Sequence, residues 1–175
     1  MTASTSPERT RTCSWDDPLI GARAAPPISG LEYLQAMQRG ELPPPPIMLL
    51  LNIGFQEAEE GRVVFSVEPA EYHYNPIGMV HGGLASTLCD SALGCAIHST
   101  LPAGVGYTTL ELKVNFVRPL TVATGLVLCE GKVINVGSRV GIAEARVTDR
   151  AGKLYAHATC TCLIMRPPAA TERPR

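Results

Sequence analysis

The stretch from Leu84 to Ile97 is built of Leu, Ala, Ser, Thr, Cys, Gly and Ile, with no proline and with Asp90 as its single charge. So apolar and small-sided a run predicts a helix buried over most of its circumference. Beyond it, Leu110, Leu112, Val114 and Phe116 alternate with Thr109, Glu111, Lys113 and Asn115. That period of two predicts a strand with one apolar face and one wet face, with Thr109 on the wet face. Arg118-Pro119 stops it. Three further strands are predicted over 126–136, 139–149 and 153–165, joined at Gly137-Ser138 and at Asp149-Arg150-Ala151-Gly152. In the last, Leu154, Ala156, Ala158, Cys160, Cys162 and Ile164 share a face of mostly small residues, which leaves room for a helix against the sheet.

Upstream, Leu31, Tyr33, Leu34 and Met37 are spaced for one face of a short helix that opens after Ser29-Gly30. Gly40 and the run Pro43-Pro44-Pro45-Pro46 close it and act as a stiff spacer. Residues 47–57 and 62–68 flank Glu59-Glu60-Gly61, and the alternation of Val63, Phe65 and Val67 predicts a hairpin that Pro69 ends. Residues 1–28 show no sustained apolar period and read as a tail, mobile unless a partner holds it. The order is then helix, two strands, long helix, four strands, which predicts a two-layer α+β domain. The expected division is a tail over 1–29, a helix and spacer over 30–46, the domain over 47–166 and a C-terminal tail over 167–175.

Composition narrows the function classes. With 175 residues and 45% hydrophobic content, one domain with a proper core is expected. A net charge of -1 advertises neither a nucleic-acid nor an anionic-membrane partner. The aliphatic run from Ile47 to Leu51 is too short to cross a bilayer and the N-terminus lacks the apolar core of a secretion signal, so a cytoplasmic protein is expected. The six cysteines are scattered without a C-x-x-C pair and read as core thiols. His73, His98 and His157 are too dispersed to suggest a metal site.

Two features suggest chemistry. A carboxylate buried without a partner costs several kcal/mol or takes up a proton, so Asp90 in the middle of an apolar helix points to use. Ahead of the helix stand His81, Gly82 and Gly83. The first turn of a helix leaves N–H groups unpaired at the positive end of the dipole, and glycine allows close approach, so the N–H of Gly82 or Gly83 can receive an oxyanion. Cys89 beside Asp90 invites a thiol nucleophile, but neighbours on a helix point about 100° apart and no local base is evident.

Asn75, then His81-Gly82-Gly83, then Asp90, then Leu112-Lys113-Val114-Asn115-Phe116-Val117-Arg118-Pro119, in this order and spacing, resemble the hotdog-fold acyl-CoA thioesterases of the phenylacetate-pathway type. The resemblance covers 46–166. It implies a long helix wrapped by a curved antiparallel sheet, sheets of two subunits pairing into one, and thioester hydrolysis at the seam. By the same resemblance Asp90 is the catalytic carboxylate, Gly82 the oxyanion donor, and Asn75 and His81 position the thioester and the loop. Thr109 matches a position where related enzymes often carry a hydroxyl near the attacking water. The CoA belongs to the substrate, so no separate cofactor is expected. Its phosphates are expected to meet surface cations near strand ends, with Arg118 and the turn Gly137-Ser138-Arg139 as candidates and Gly83 also near the substrate. An aromatic or medium-chain acyl group is expected against an apolar wall from Leu88, Leu93 or the proline-rich segment. A non-catalytic acyl-CoA binder of the same fold is the alternative. A hotdog hydratase would resemble its relatives in an Asp followed five residues later by a His, and no Asp here has that partner.

Helix geometry adds a constraint of its own. Gly82 and Asp90 are eight residues apart, about 12 Å along a helix axis at 1.5 Å per residue. Attack geometry wants the reacting atoms within roughly 3.5 Å, so one helix cannot bring both groups to one carbonyl. Two antiparallel copies related by a two-fold axis can. A homodimer with two shared sites is therefore expected, alone or as a dimer of dimers. Whether Asp90 attacks the carbonyl or activates water stays open from sequence.

Overall fold

Ser29 opens the first helix of the predicted pattern as a reciprocal cap. Its hydroxyl accepts the Glu32 N–H at 3.3 Å, and the Glu32 carboxylate accepts the Ser29 N–H at 2.9 Å. The computed structural model describes residues 8–167, so the C-terminal tail beyond Pro167 and the first seven residues lie outside the described residues. The helices are α1 (Leu19–Ala24), α2 (Gly30–Gln38), α3 (Pro46–Leu51) and α4 (Gly82–His98). The strands are β1 (Ile53–Glu59), β2 (Arg62–Val67), β3 (Gly106–Phe116), β4 (Val127–Val136), β5 (Val140–Asp149) and β6 (Leu154–Met165). All pair antiparallel in one sheet of order β1-β2-β4-β5-β6-β3.

Helix α4 lies across the sheet and buries Leu84, Leu88, Leu93 and Ile97 against Val63, Phe65, Val127, Ala143, Ala145, Ala158 and Cys160. The small residues of β5 and β6 do what their pattern predicts and let the helix approach closely. Closest on the sheet is Gly131 on β4, where an added Cβ would stand 2.3 Å from the carbonyl oxygen of Ala92 on α4. Backbone cannot yield as a side chain can, so Gly131→Ala is expected to cost roughly 3 kcal/mol. Gly137→Ala, whose Cβ would meet only the Val140 carbonyl at 3.5 Å, should stay within about 0.5 kcal/mol of wild type. Denaturation midpoints of the two variants check this.

Three expectations are corrected. The first arm of the hairpin begins at Ile53, not Ile47, because Pro46 starts α3 at a position where proline is tolerated and Asn52, with φ 55°, ends it in the left-handed region. The stretch before residue 28 carries α1, and its Arg11 donates to the carbonyls of Leu49 (2.8 Å) and Leu50 at the end of α3. This arm is held by side-chain donors on a helix C-terminus rather than by an apolar face, which is why it has no hydrophobic period. Thr109 was expected on the wet face of β3. Pairing shows Thr109 opposite Cys162 but Leu112 opposite Cys160, so three residues on β3 span two on β6 and Leu110 is the extra one of a bulge. The bulge turns Thr109 towards α4, on the same side as Leu112 and Val114.

One long helix laid on a curved antiparallel sheet, with β3 at a free edge among the described residues, is the hotdog arrangement that the resemblance implies.

Candidate active site

The loop before α4 closes on Asn75. Its Oδ1 accepts the N–H groups of Ile77 (3.1 Å) and Met79 (3.2 Å), and its own N–H donates to the Met79 carbonyl at 2.7 Å. With Oδ1 committed to the loop, the Nδ2 amide has no partner among the described residues, and Asn75 lines a cavity of about 430 Å³. The next link is His81, the N-cap of α4, whose Nδ1 accepts the Gly83 N–H at 2.8 Å. The Gly83 N–H is thereby used up and is not available to an oxyanion. Gly82, the first residue of the helix, keeps an N–H with no partner among the described residues. The cavity is lined by Asn75, His81, Gly82, Phe116, Arg118 and Tyr155, among others, so amide and oxyanion donors open into one space. Phe116 packs over Gly82, its ring 3.0 Å from where a Cβ would be.

Asp90 was expected to be buried; in the single chain it is exposed. Ser86, Thr87, Asp90 and Ser91 fall on one stripe of α4, on the opposite side from Ala85, Leu88, Cys89 and Ala92, and that stripe borders the free edge of the sheet. The Ser86 and Thr87 hydroxyls bond back to the carbonyls of Gly82 and Gly83 at 3.1 and 2.9 Å. Asp90 instead accepts the Thr109 hydroxyl on Oδ1 at 3.0 Å, a contact that exists only because the bulge turned Thr109 inwards. Oδ2 has no partner among the described residues.

The thiols near this pair are buried. Cys89 and Cys162 have no exposure, and burial pushes the Cys95 thiol up to about 12. Cys162 lies 3.8 Å from both Thr109 Oγ1 and Cys160 Sγ. The bond from Cys160 draws its thiol down to about 7, against burial and the Asp90 charge, but full burial keeps the sulfur from a substrate.

Arg118 lines the cavity rim and donates to the Leu154 carbonyl at 2.5 Å. Gly137, Ser138 and Arg139 form the β4–β5 turn, at the far end of the sheet. Along β6, Arg118 sits by Tyr155 and the turn beyond Leu163, so at about 3.3 Å per residue they are roughly 26 Å apart. Leu88 and Leu93 point into the core, and Leu42, Pro43 and Pro44 line a separate groove with Ile20 and Met37, so none of them walls this cavity. Its apolar lining includes Met79, Val80, Phe116, Leu120 and Tyr155, to none of which sequence reasoning gave a pocket role. Only Phe116, within the motif after the helix, carried any signal.

The sequence profile of the thioesterase superfamily matches residues 77–156. A Halobacterium salinarum protein described as a candidate esterase is 34% identical over 118 residues, 65% of this chain and 76% of the relative. The chain belongs to the thioesterase superfamily. This thioesterase is also 28% identical over 109 residues to acyl-coenzyme A thioesterase 13 of Homo sapiens, across 62% of this chain and 76% of that protein. Among solved structures, a phenylacetic acid degradation-related protein of Ralstonia eutropha superimposes with a TM-score of 0.68 at 28% identity, covering 75% of this chain and 98% of the other. The chain is thus a thioester hydrolase of the hotdog fold. No helix among the described residues is long and apolar enough to cross a membrane.

Proposed function

We propose that two copies of the chain share two sites, each taking Asn75 and Gly82 from one protomer and Asp90 with Thr109 from its partner, and that each site hydrolyses aromatic or medium-chain acyl-CoA. The observation that carries this is a separation on one helix. The open N–H of Gly82 stands at the cavity mouth, while the Asp90–Thr109 pair is exposed eight residues further along α4, about 12 Å away. The edge strand β3 supports the pairing: it is eleven residues long, bears the exposed Leu110 and Phe116, and has no strand partner on its outer side among the described residues. A long apolar edge is an invitation to pair.

In the shared site the thioester oxygen sits on the Gly82 N–H and the Asn75 Nδ2, which take up the charge that develops as the carbonyl becomes tetrahedral. Thr109 occupies Oδ1 of Asp90 and leaves Oδ2 to accept a proton from water. Water then adds to the carbonyl carbon, the C–S bond breaks, and the proton held by Asp90 goes to the leaving thiolate, giving free acid and CoA. Pairing the subunits antiparallel through β3 also brings the Gly137-Ser138-Arg139 turn of one chain towards the Arg118 end of the other, where both can meet the CoA phosphates. A cavity walled by Met79, Phe116, Leu120 and Tyr155 suits an aromatic or medium acyl group better than acetyl.

A screen of aromatic, short, medium and long acyl-CoA esters, read by released thiol, is expected to show turnover with aromatic or medium esters preferred to acetyl-CoA. No thiol release from any of them, at enzyme levels that reveal slow turnover, overturns the reading. Tight binding of the same esters without release would make the protein an acyl-CoA binder.

A further inference from the structure

His73 is buried, and both its ring nitrogens are engaged. Nδ1 lies 3.0 Å from the Ala70 nitrogen and accepts its N–H, so Nδ1 carries no proton. Nε2 therefore bears the hydrogen and donates it to the Leu51 carbonyl at 3.0 Å, at the end of α3. The neighbouring carbonyls of that helix end, Leu49 and Leu50, are taken by Arg11 of the N-terminal arm, whose guanidinium stacks 4.1 Å from the Tyr72 ring centroid. Tyr72 in turn meets the His73 ring edge-on at 4.2 Å. On the other side the main chain of His73 reaches the site directly, since its carbonyl accepts the N–H of His81 at 2.8 Å. His81 is the residue that caps α4, holds the Gly83 N–H and leaves the Gly82 N–H open.

We propose that His73 is a positioning residue for the oxyanion end of the site: its neutral ring ties the carbonyl end of α3 to the turn that supports the α4 N-cap. The proposal rests on the roles given above to Gly82 and Asp90. It adds a residue that does not touch the substrate and acts through His81. A ring with one acceptor and one donor, both used, has one state that fits. A second proton would set a donor against the Ala70 N–H and place a positive charge near Arg11. The other titratable groups around it are Tyr72, whose ring meets it, His81, bonded to its carbonyl, Cys13 on the arm, bonded to the Leu49 carbonyl at 3.9 Å, and Glu71, which pairs with Arg9 at 2.8 Å on the surface; α3 brings none. Burial holds His73 below the ordinary histidine value of 6.5, and the Arg11 charge adds to this against the bond to Leu51. The folded-state value being depressed, the contribution of the neutral ring is complete above 6.5 and is lost as pH falls through the lower folded value. Because a misplacement of about 1 Å at a reacting group costs about a hundredfold, a slackened N-cap should show in kcat before it shows in the fold.

The test compares wild type with His73→Gln and His73→Phe, using the acyl-CoA ester that turns over fastest. His73→Phe is expected to lower kcat by about 10- to 100-fold with KM changed less than threefold, and His73→Gln, which keeps an amide donor and acceptor, should recover part of it. On the acid side, wild-type kcat should fall more steeply than one ionisation allows, and His73→Gln should return it to one step. Unchanged kcat per folded molecule in His73→Phe, or an acid limb identical in wild type and His73→Gln, overturns the proposal. A readout independent of turnover is the amide signal of Gly82 in glycine-labelled protein. Its shift below pH 6.5 should be larger in wild type than in His73→Gln, which keeps His81 beside Gly82. This separates failure of the proposal from failure of the thioesterase site, and it stands if His73→Phe does not fold. A Gly82 signal that shifts equally in wild type and His73→Gln overturns the proposal.

Discussion

Asp90→Asn is expected to fold like wild type and to lose about two to four orders of magnitude in kcat. The fold should survive because Asp90 is exposed in the single chain and its one partner, the Thr109 hydroxyl at 3.0 Å, finds an acceptor in the Asn carbonyl as well. The rate should not survive, because an amide in place of Oδ2 takes no proton from water. Cys89→Ala is the control. Its sulfur is fully buried, 4.0 Å from Cys129 Sγ and on the side of α4 that faces the sheet, so removing it should affect stability and leave kcat within about twofold. Single-turnover and steady-state rates of both variants on one ester check this. A Cys89 variant slower than the Asp90 variant would move the chemistry to the thiol.

The parts of the site that sequence reveals are those marked by local periodicity. Leu84, Leu88 and the small residues between them announce α4, and His81-Gly82-Gly83 announce its start. Ser29 with Glu32 announces α2 in the same way. What stays hidden depends on pairing across the chain. The bulge at Leu110 has no signature in composition, because the alternation of apolar and polar residues runs unbroken through it; only the register against β6 shows that Thr109 turns to Asp90. The apolar run after Pro46 suits helix and strand alike. Pro46 and Asn52, its two end signals, were readable but pointed against the apparent hairpin. His73 is a lone histidine, and its meaning comes from Leu51 and His81, which lie far from it in sequence or on the other side of a loop. The exposure of Asp90 could not be read either. A charge in an apolar run looks buried until the free edge of β3 appears beside it.

Mixing two inactive variants should restore activity. Asp90→Asn removes the carboxylate, and Gly82→Pro removes the open N–H at the first position of α4, where proline is tolerated. The residue ahead, His81, already has φ -62° and ψ 133°, the extended geometry that precedes a proline. The crowding falls on the Phe116 ring, 3.0 Å from the Gly82 Cβ position, a side chain that can shift by a few tenths of an ångström where backbone could not. Each variant is first shown folded by its circular dichroism and melting curve. Unfolded and refolded together in equal amounts, they form mixed dimers at random in half of all pairs. If each site takes Gly82 from one chain and Asp90 from the other, a mixed dimer has one site with both lesions and one with none. Half of the dimers, each with one of two sites intact, give roughly a quarter of wild-type activity. If both groups came from the same chain, every site would carry a lesion and the mixture would stay at the level of the separate variants. The two outcomes differ by orders of magnitude, so a coarse thiol-release assay decides between a shared and a single-chain site.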